Sequence, residues 1–94
     1  MKRTPLKRRS KKRAAQEREY AQRRQRYLED HWRCQARACR DCRSWASEIH
    51  HQRGRVGARL LDERYWLAVC RPCHQWIEEH PAEARGRGWT LSRV

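Results

Sequence analysis

The sequence predicts a small α+β domain whose apolar core needs a covalent or metal crosslink. The chain has 94 residues, of which 37% are hydrophobic and 37% are charged, so burial alone stabilises it weakly. Five cysteines are available for a crosslink. The sequence contains neither a membrane-spanning run nor the apolar segment of a secretory signal. We therefore expect a cytoplasmic protein, in which paired cysteines bind metal more often than they form disulfides.

The charge of the chain indicates a polyanionic partner. Lys and Arg number 24 against 11 Asp and Glu, which gives a net charge of +13 with neutral histidines. Self-repulsion on this scale is typical of proteins that bind a polyanion. Nucleic acid fits this composition better than an anionic membrane, so we expect nucleic acid as the partner and no membrane association.

Residues 1–13 are predicted to form a disordered basic arm. They carry eight basic side chains and no acidic one, and a block of like charges repels itself. Such an arm binds phosphates and gains affinity through counterion release, whereas a localisation or solubility tail is the alternative. The candidate nucleic-acid contacts in the arm are Arg8, Arg9, Lys11, Lys12 and Arg13.

A basic helix is predicted over residues 14–32, which lack Pro and Gly and are rich in Ala, Gln, Glu and Arg. Apolar residues at seven-residue spacing form a narrow stripe that we expect to pack on the rest of the protein. The stripe consists of Ala14, Ala21, Leu28, Tyr20 and Tyr27. Other faces present Arg23 and Arg24 to a DNA backbone, although a partner-binding helix is the alternative.

Residues 33–94 are predicted to form one domain with two short strands and a following helix. A basic loop separates the strands, and Trp89 is expected to pack back on the domain. The predicted elements are strands over 44–51 and 65–69, a helix over 71–80 and a further helical turn over 82–85.

Two Cys-x-x-Cys pairs, Cys39 with Cys42 and Cys70 with Cys73, are separated by 27 residues. Two such pairs place four thiolates around a tetrahedral Zn²⁺ ion at about 2.3 Å each, and they join the two halves of the chain. The pattern predicts a structural zinc site, with buried or oxidised cysteines as the alternative. Cys34 is left over. It could replace Cys39, but Cys39 is favoured because its spacing matches that of the other pair.

Three histidines lie beside these pairs in the sequence. His50 and His51 are adjacent at the end of the first predicted strand, and His74 directly follows Cys73. Neighbours in a strand point to opposite faces, so at a strand end one histidine can bind a metal while the other reaches a water molecule. The alternatives are surface or capping histidines for His50 and His51, and ligation of the structural zinc for His74.

Together, these motifs resemble the HNH endonuclease family over residues 34–80. The matching segments are the two cysteine pairs, the stretch Glu48-Ile49-His50-His51 and the stretch from Tyr65 to His74. The resemblance implies a ββα-metal core with the basic helix on its N-terminal side, and a small DNA endonuclease of the kind that bacteriophages encode. It also implies the host cytoplasm as the compartment, and phage DNA-processing or packaging proteins as candidate partners.

The resemblance implies a role for each histidine. His50 and His74 match ligands of a catalytic divalent cation such as Mg²⁺, Mn²⁺, Ni²⁺ or Zn²⁺, and His51 matches the general base. Tyr65 stands where the family has an Asn that supports the base. Glu78 stands where many members have a further histidine, and it either binds the cation or faces solvent.

These residue types suit phosphodiester hydrolysis. A cation at His50 and His74 would neutralise the charge that develops on the phosphate. With an ordinary pKa of about 6.5, His51 would take a proton from water at neutral pH. Three arginines are candidate phosphate clamps or ordinary surface charges: Arg53, Arg55 and Arg71. The alternatives are a non-catalytic zinc-ribbon DNA-binding module and an assembly protein tethered by its arm.

Overall fold

The computed structural model describes residues 11–93, which form helices, a two-stranded sheet and short connecting turns. This confirms the small α+β composition predicted from the sequence. In chain order the elements are helix α1 (Lys11–Asp30), strand β1 (Glu48–His51), two 3₁₀ turns (Gly57–Leu61 and Glu63–Tyr65), strand β2 (Trp66–Val69), helix α2 (Arg71–Glu79) and helix α3 (Pro81–Gly86).

Helix α1 begins inside the segment that was predicted as a disordered arm. Lys11, Lys12 and Arg13 form its first turn, because the strong helix formers that follow let the helix extend towards the N-terminus. The predicted contacts Arg8 and Arg9 lie outside the described residues. None of the helices within residues 11–93 is both long enough and apolar enough to cross a membrane.

Three residues of the apolar stripe predicted for α1 pack against the rest of the protein, but Ala21 does not. Tyr27 is buried, Tyr20 and Leu28 pack around the same cluster, and Ala21 faces solvent. The hydroxyl of Tyr27 donates a hydrogen bond to the carbonyl oxygen of Trp66 at 3.1 Å. Helix α1 is therefore part of the domain and packs against the sheet.

The strands β1 and β2 pair in antiparallel register, with Glu48 opposite Val69 and His51 opposite Trp66. Strand β1 is shorter at its start than predicted, because Trp45 forms an isolated bridge with Arg33 instead. This bridge closes the base of a loop, residues 32–45, that contains three of the five cysteines. We call it the cysteine loop.

Alternation along the strands separates two clusters of buried residues. Helix α1 covers the side that holds Ile49, Trp66 and Ala68. On the other side, Ile77 of α2 joins a cluster that includes the buried cysteines. Trp89 packs against Trp76 with ring centroids 6.1 Å apart, which confirms the predicted return of the C-terminal segment.

Helix α2 has Pro72 in its first turn, where the missing amide proton is tolerated, and it ends just before Pro81. Its bounds differ by one residue from the predicted 71–80. The order strand, loop, strand, helix therefore places the start of α2, with Cys73 and His74, next to Glu48 at the start of β1.

Candidate metal centre and histidine cleft

Four cysteines converge where the cysteine loop meets the start of α2. The Sγ atoms of Cys34, Cys42, Cys70 and Cys73 all lie within 4.8 Å of one another, and those of Cys42 and Cys70 are 3.9 Å apart. A tetrahedron with metal–sulfur bonds of about 2.3 Å has edges of about 3.8 Å. The four sulfurs can therefore hold a metal ion such as zinc.

The structure brings Cys34 into this group, where the sequence favoured Cys39. The closed base of the cysteine loop buries Cys34 in the core, with 2% of its surface exposed, beside Cys70 and Cys73. Cys39 lies further along the loop and is half-buried, and its Sγ atom is 3.7 Å from that of Cys73. Loop closure therefore favours the longer Cys34 to Cys42 spacing over the Cys-x-x-Cys pair, with Cys39 at the edge of the group.

Backbone amides point at all four sulfurs. Hydrogen bonds to a thiolate stabilise its charged form, which is the form that binds metal. Two of the donors, Arg37 and Ser44, have φ values of 48° and 71°, a region that non-glycine residues rarely adopt. The donor–sulfur pairs are Arg37 with Cys34 at 3.4 Å, Ala38 with Cys73 at 3.2 Å, Arg43 with Cys70 at 3.5 Å and Ser44 with Cys42 at 3.4 Å.

The thiols differ in their readiness to ionise without a metal. Burial raises the pKa of Cys34, but backbone donors led by Arg37 outweigh it and bring that pKa down to about 7. Burial instead raises the pKa of both Cys73 and Cys42 above the ordinary value. Four thiolates at these distances repel one another, so a cation between them would stabilise the whole group.

The histidines lie around a separate cleft at the end of β1. His50 and His51 point to opposite faces of the strand, and both are buried. The ring of His50 lies 5.3 Å from that of His74, whereas the ring of His51 packs 5.4 Å from Tyr20 and 5.7 Å from Trp66. All three histidines line one cleft of about 430 Å³.

Each histidine has a hydrogen-bond partner that orients its ring. His74 Nδ1 lies 2.9 Å from a carboxylate oxygen of Glu48, so Nδ1 donates, and Nε2 is the nitrogen that carries the lone pair in the neutral ring. His51 Nε2 lies 3.3 Å from the carbonyl oxygen of Leu60, which leaves the lone pair on Nδ1. His50 Nε2 lies 3.1 Å from the hydroxyl of Thr90.

Burial keeps the two strand histidines neutral. Burial and the nearby His74 lower the pKa of His50 to about 4. Burial and the guanidinium of Arg55 lower the pKa of His51 to about 4. The ordinary value of about 6.5 that was expected for His51 is therefore wrong for this environment. Both rings carry lone pairs at neutral pH.

A second cleft, of about 490 Å³, adjoins the first. The two clefts share His74 and Glu78, and Glu78 Oε1 lies 3.5 Å from His74 Nε2. Glu48 and Arg71 line the second cleft. Glu48 was missed as a site residue, although its position two residues before His50 on a strand places it on the same face.

Two residues near the C-terminus were also missed in the sequence. Thr90 contacts His50, and Arg93 lines the histidine cleft. The amide of Leu91 donates to the carbonyl oxygen of Gln52 at 2.7 Å, which holds this segment against the loop after β1. A Cβ atom at Gly54, whose φ is 84°, would lie 3.1 Å from Arg93 Nε, so glycine leaves room for this guanidinium.

Tyr65 occupies a different position from the one that the resemblance implied. Two guanidinium groups lie near the centre of its ring, Arg53 at 4.4 Å and Arg64 at 5.3 Å, and Tyr65 is not among the residues that line the histidine cleft. The carbonyl of Leu60, rather than the Tyr65 side chain, contacts His51. Tyr65 packs and fixes the loop, because its carbonyl accepts the amide of Gln52 at 2.8 Å.

The candidate phosphate-binding arginines fall into two groups. Arg55 lines the histidine cleft and Arg71 lines the adjoining cleft. Arg53 stacks on Tyr65, and its Nε atom is buried without a hydrogen-bond partner among the described residues. The two α1 arginines that were candidate nucleic-acid contacts are engaged within the protein: Arg23 pairs with Glu19 and Glu63 at 2.7 Å and 3.4 Å, and Arg24 donates to the Ser47 carbonyl at 2.8 Å.

Comparison with known proteins adds no family to this description. None of the protein-family models, curated proteins or solved structures matches the chain. The chemistry of the two sites is therefore the basis on which a function can be proposed.

Proposed function

We propose that this protein is a metal-dependent endonuclease of the HNH type, which hydrolyses DNA phosphodiester bonds. The observation that carries the proposal is the cleft where His50 and His74 lie 5.3 Å apart and which His51 also lines. The order β1, loop, β2, α2 is the one that a ββα-metal core would have. The net charge of +13 suits a polyanionic substrate.

The four-cysteine group is proposed as the structural zinc site. It ties the cysteine loop to the start of α2, where His74 directly follows Cys73. A bound zinc would therefore fix His74 relative to β1, and with it the width of the histidine cleft. Its role is structural, since four sulfur ligands leave no open position for water. It would hold the catalytic groups in position relative to one another.

A second, exchangeable cation is proposed at His50 and His74, with Glu78 beside them. Glu48 holds His74 in the tautomer whose Nε2 is free to bind, as in carboxylate–histidine–metal arrangements. An ion held by two imidazoles and one carboxylate would keep water as its remaining ligands. Such an ion would neutralise developing charge on the phosphate and the leaving oxygen.

His51 is the proposed general base. Its Nε2–H donates to the Leu60 carbonyl, so Nδ1 can accept a proton from the attacking water. The water oxygen would then bond to phosphorus as the bond to the 3′ oxygen breaks, and the 3′ oxygen would take a proton from solvent, which gives 5′-phosphate and 3′-hydroxyl ends. Arg55 and Arg93, which also line the cleft, would contact the neighbouring phosphates.

A plasmid-nicking assay with Mg²⁺, Mn²⁺ or Ni²⁺ tests this function. We expect the native chain to nick only with added divalent metal, and His51→Ala to nick at least about 100-fold more slowly while it still binds DNA. His80→Ala is the matched control, because His80 stacks on Trp76 and lies outside both clefts. If the native protein binds DNA but does not cut it in the presence of any of these metals, it is instead a non-catalytic zinc-dependent DNA-binding module.

A further inference from the structure

Two tryptophans at the base of the cysteine loop are exposed. Trp32 and Trp45 have 56% and 62% of their surface accessible, whereas Trp66 is buried and Trp76 and Trp89 are half-buried. Exposing two large aromatic rings costs hydrophobic free energy. Neither ring is part of the buried clusters that hold the fold together.

The backbone holds both tryptophans in fixed positions. Trp45 pairs with Arg33 in an antiparallel bridge, and the amide of Ala46 donates to the carbonyl oxygen of Trp32 at 2.7 Å. The amide of Cys34 donates to the carbonyl oxygen of Ser44 at 2.8 Å on the same pair of segments. The rings therefore extend from a rigid base, which lowers the entropy cost of binding a ligand.

The surroundings of Trp32 are suited to a planar, electron-rich ligand. The guanidinium of Arg33 lies 4.7 Å from the centre of the Trp32 ring. Both residues line a shallow cleft of about 230 Å³, together with Asp30, His31 and Gln35. This cleft shares no residue with the histidine cleft.

The charge of the cysteine loop favours nucleic acid over a protein partner. Residues 32–45 contain four arginines and one aspartate, a net charge of +3. The four arginines are exposed: Arg33, Arg37, Arg40 and Arg43. Aromatic rings interleaved with arginine are the combination with which proteins stack unpaired bases while neutralising the adjoining phosphates.

We propose that Trp32 and Trp45 form a stacking platform for unpaired nucleobases, so that the protein binds DNA with a single-stranded segment more tightly than continuous duplex. The platform deepens the proposed function by naming the DNA substrate class. Stacking itself needs neither the catalytic cation nor cleavage.

Fluorescence anisotropy of zinc-loaded, full-length His51→Ala protein without added divalent metal tests the platform. The probes are labelled oligo(dT) of about 12 nucleotides, within the range of known single-strand sites, and a duplex of equal length. We expect Trp32→Leu and Trp45→Leu each to weaken oligo(dT) binding about tenfold, to weaken duplex binding much less, and to leave the salt dependence unchanged. Phe at either position should restore the affinity, since it can stack.

A second measurement does not depend on the stability of the Leu variants. Oligo(dT) should quench the tryptophan fluorescence of the otherwise native chain, and the double Trp32→Phe, Trp45→Phe variant should keep the affinity but lose most of that quench. The platform would be overturned if the Leu variants bound oligo(dT) with native affinity, or if the Leu and Phe variants bound it equally. It would also be overturned if the Leu variants lost as much affinity for the duplex as for oligo(dT). Because no cleavage is measured, a failed nicking assay would leave this result unaffected.

Discussion

The imidazole of His74 is held by a carboxylate 26 positions earlier in the chain, with 2.9 Å between His74 Nδ1 and Glu48 Oε1. Glu48 begins β1 and His74 lies in the first turn of α2. The antiparallel pairing of β1 with β2 returns the chain so that α2 starts beside Glu48. The contact therefore joins the strand and the helix that carry the proposed cation ligands.

Glu48→Gln should weaken the response to divalent metal. The amide can still contact His74, but it does not favour the tautomer with a free Nε2 as a carboxylate does, and such partners are typically worth about 10- to 100-fold in metal affinity or activity. We expect the Mn²⁺ concentration for half-maximal nicking to rise by that factor. Glu79→Gln, at an exposed position of α2, is the control. An unchanged Mn²⁺ titration for Glu48→Gln would show that Glu48 does not orient a metal ligand.

The zinc content of two variants can decide whether Cys34 or Cys39 is the fourth zinc ligand. Cys34→Ser should lose the zinc and the cooperative thermal transition, because Cys34 is buried within the four-sulfur group and structural zinc supplies folding free energy. Cys39→Ser should retain one zinc per chain. Native mass spectrometry and thermal melts by circular dichroism measure both effects. The reverse pattern would assign the fourth ligand to Cys39.

Thr90→Val removes the hydroxyl that contacts His50 while keeping a similar shape. We expect a loss of about 0.5–1.5 kcal/mol in the free energy of unfolding and slower nicking, because the His50 ring loses one of the contacts that orient it. Thr90→Ser, which keeps the hydroxyl, serves as the control and should recover most of the nicking rate. Urea denaturation and the nicking assay measure the two effects. Equal nicking rates for Val and Ser would rule out a positioning role.

Tyr27→Phe tests whether α1 is an integral part of the domain. The change removes the buried hydrogen bond to the Trp66 carbonyl and should lower the free energy of unfolding by about 1 kcal/mol. Gln22→Ala, on the exposed side of α1, should have little effect. The free energy of unfolding is measured by chemical denaturation, in which we expect a single transition. A Tyr27→Phe protein as stable as the native one would mean that α1 is weakly docked.

Deletion of residues 1–10 should weaken binding to all DNA sequences alike. This segment contains five basic residues and no acidic one, and the deletion stops short of α1. Each lost phosphate contact should reduce the slope of log affinity against log salt by about 0.9. Anisotropy titrations at several salt concentrations provide the slope. A deletion that changed affinity for one sequence only would indicate base recognition by the segment.

The sequence by itself determined the features that depend on local order. Helix propensity and the absence of breakers predicted most of α1, and the proline positions predicted the ends of α2 within one residue. Cysteine and histidine spacing predicted a metal-binding group beside three histidines. Helix formation, helix ends and the spacing within each cysteine pair depend on contacts within a few residues, so their signal survives in the linear pattern.

Only the tertiary structure decided which distant groups meet. The Arg33–Trp45 bridge buries Cys34 with the other sulfurs, and Cys39, which has the better local spacing, lies at the edge. Thr90 contacts His50, which lies 40 positions earlier in the chain, and no sequence motif predicts this contact. The low pKa of His51 likewise follows from burial and from Arg55. Burial and long-range contacts depend on how the elements pack, so the spacing of residues along the chain does not determine them.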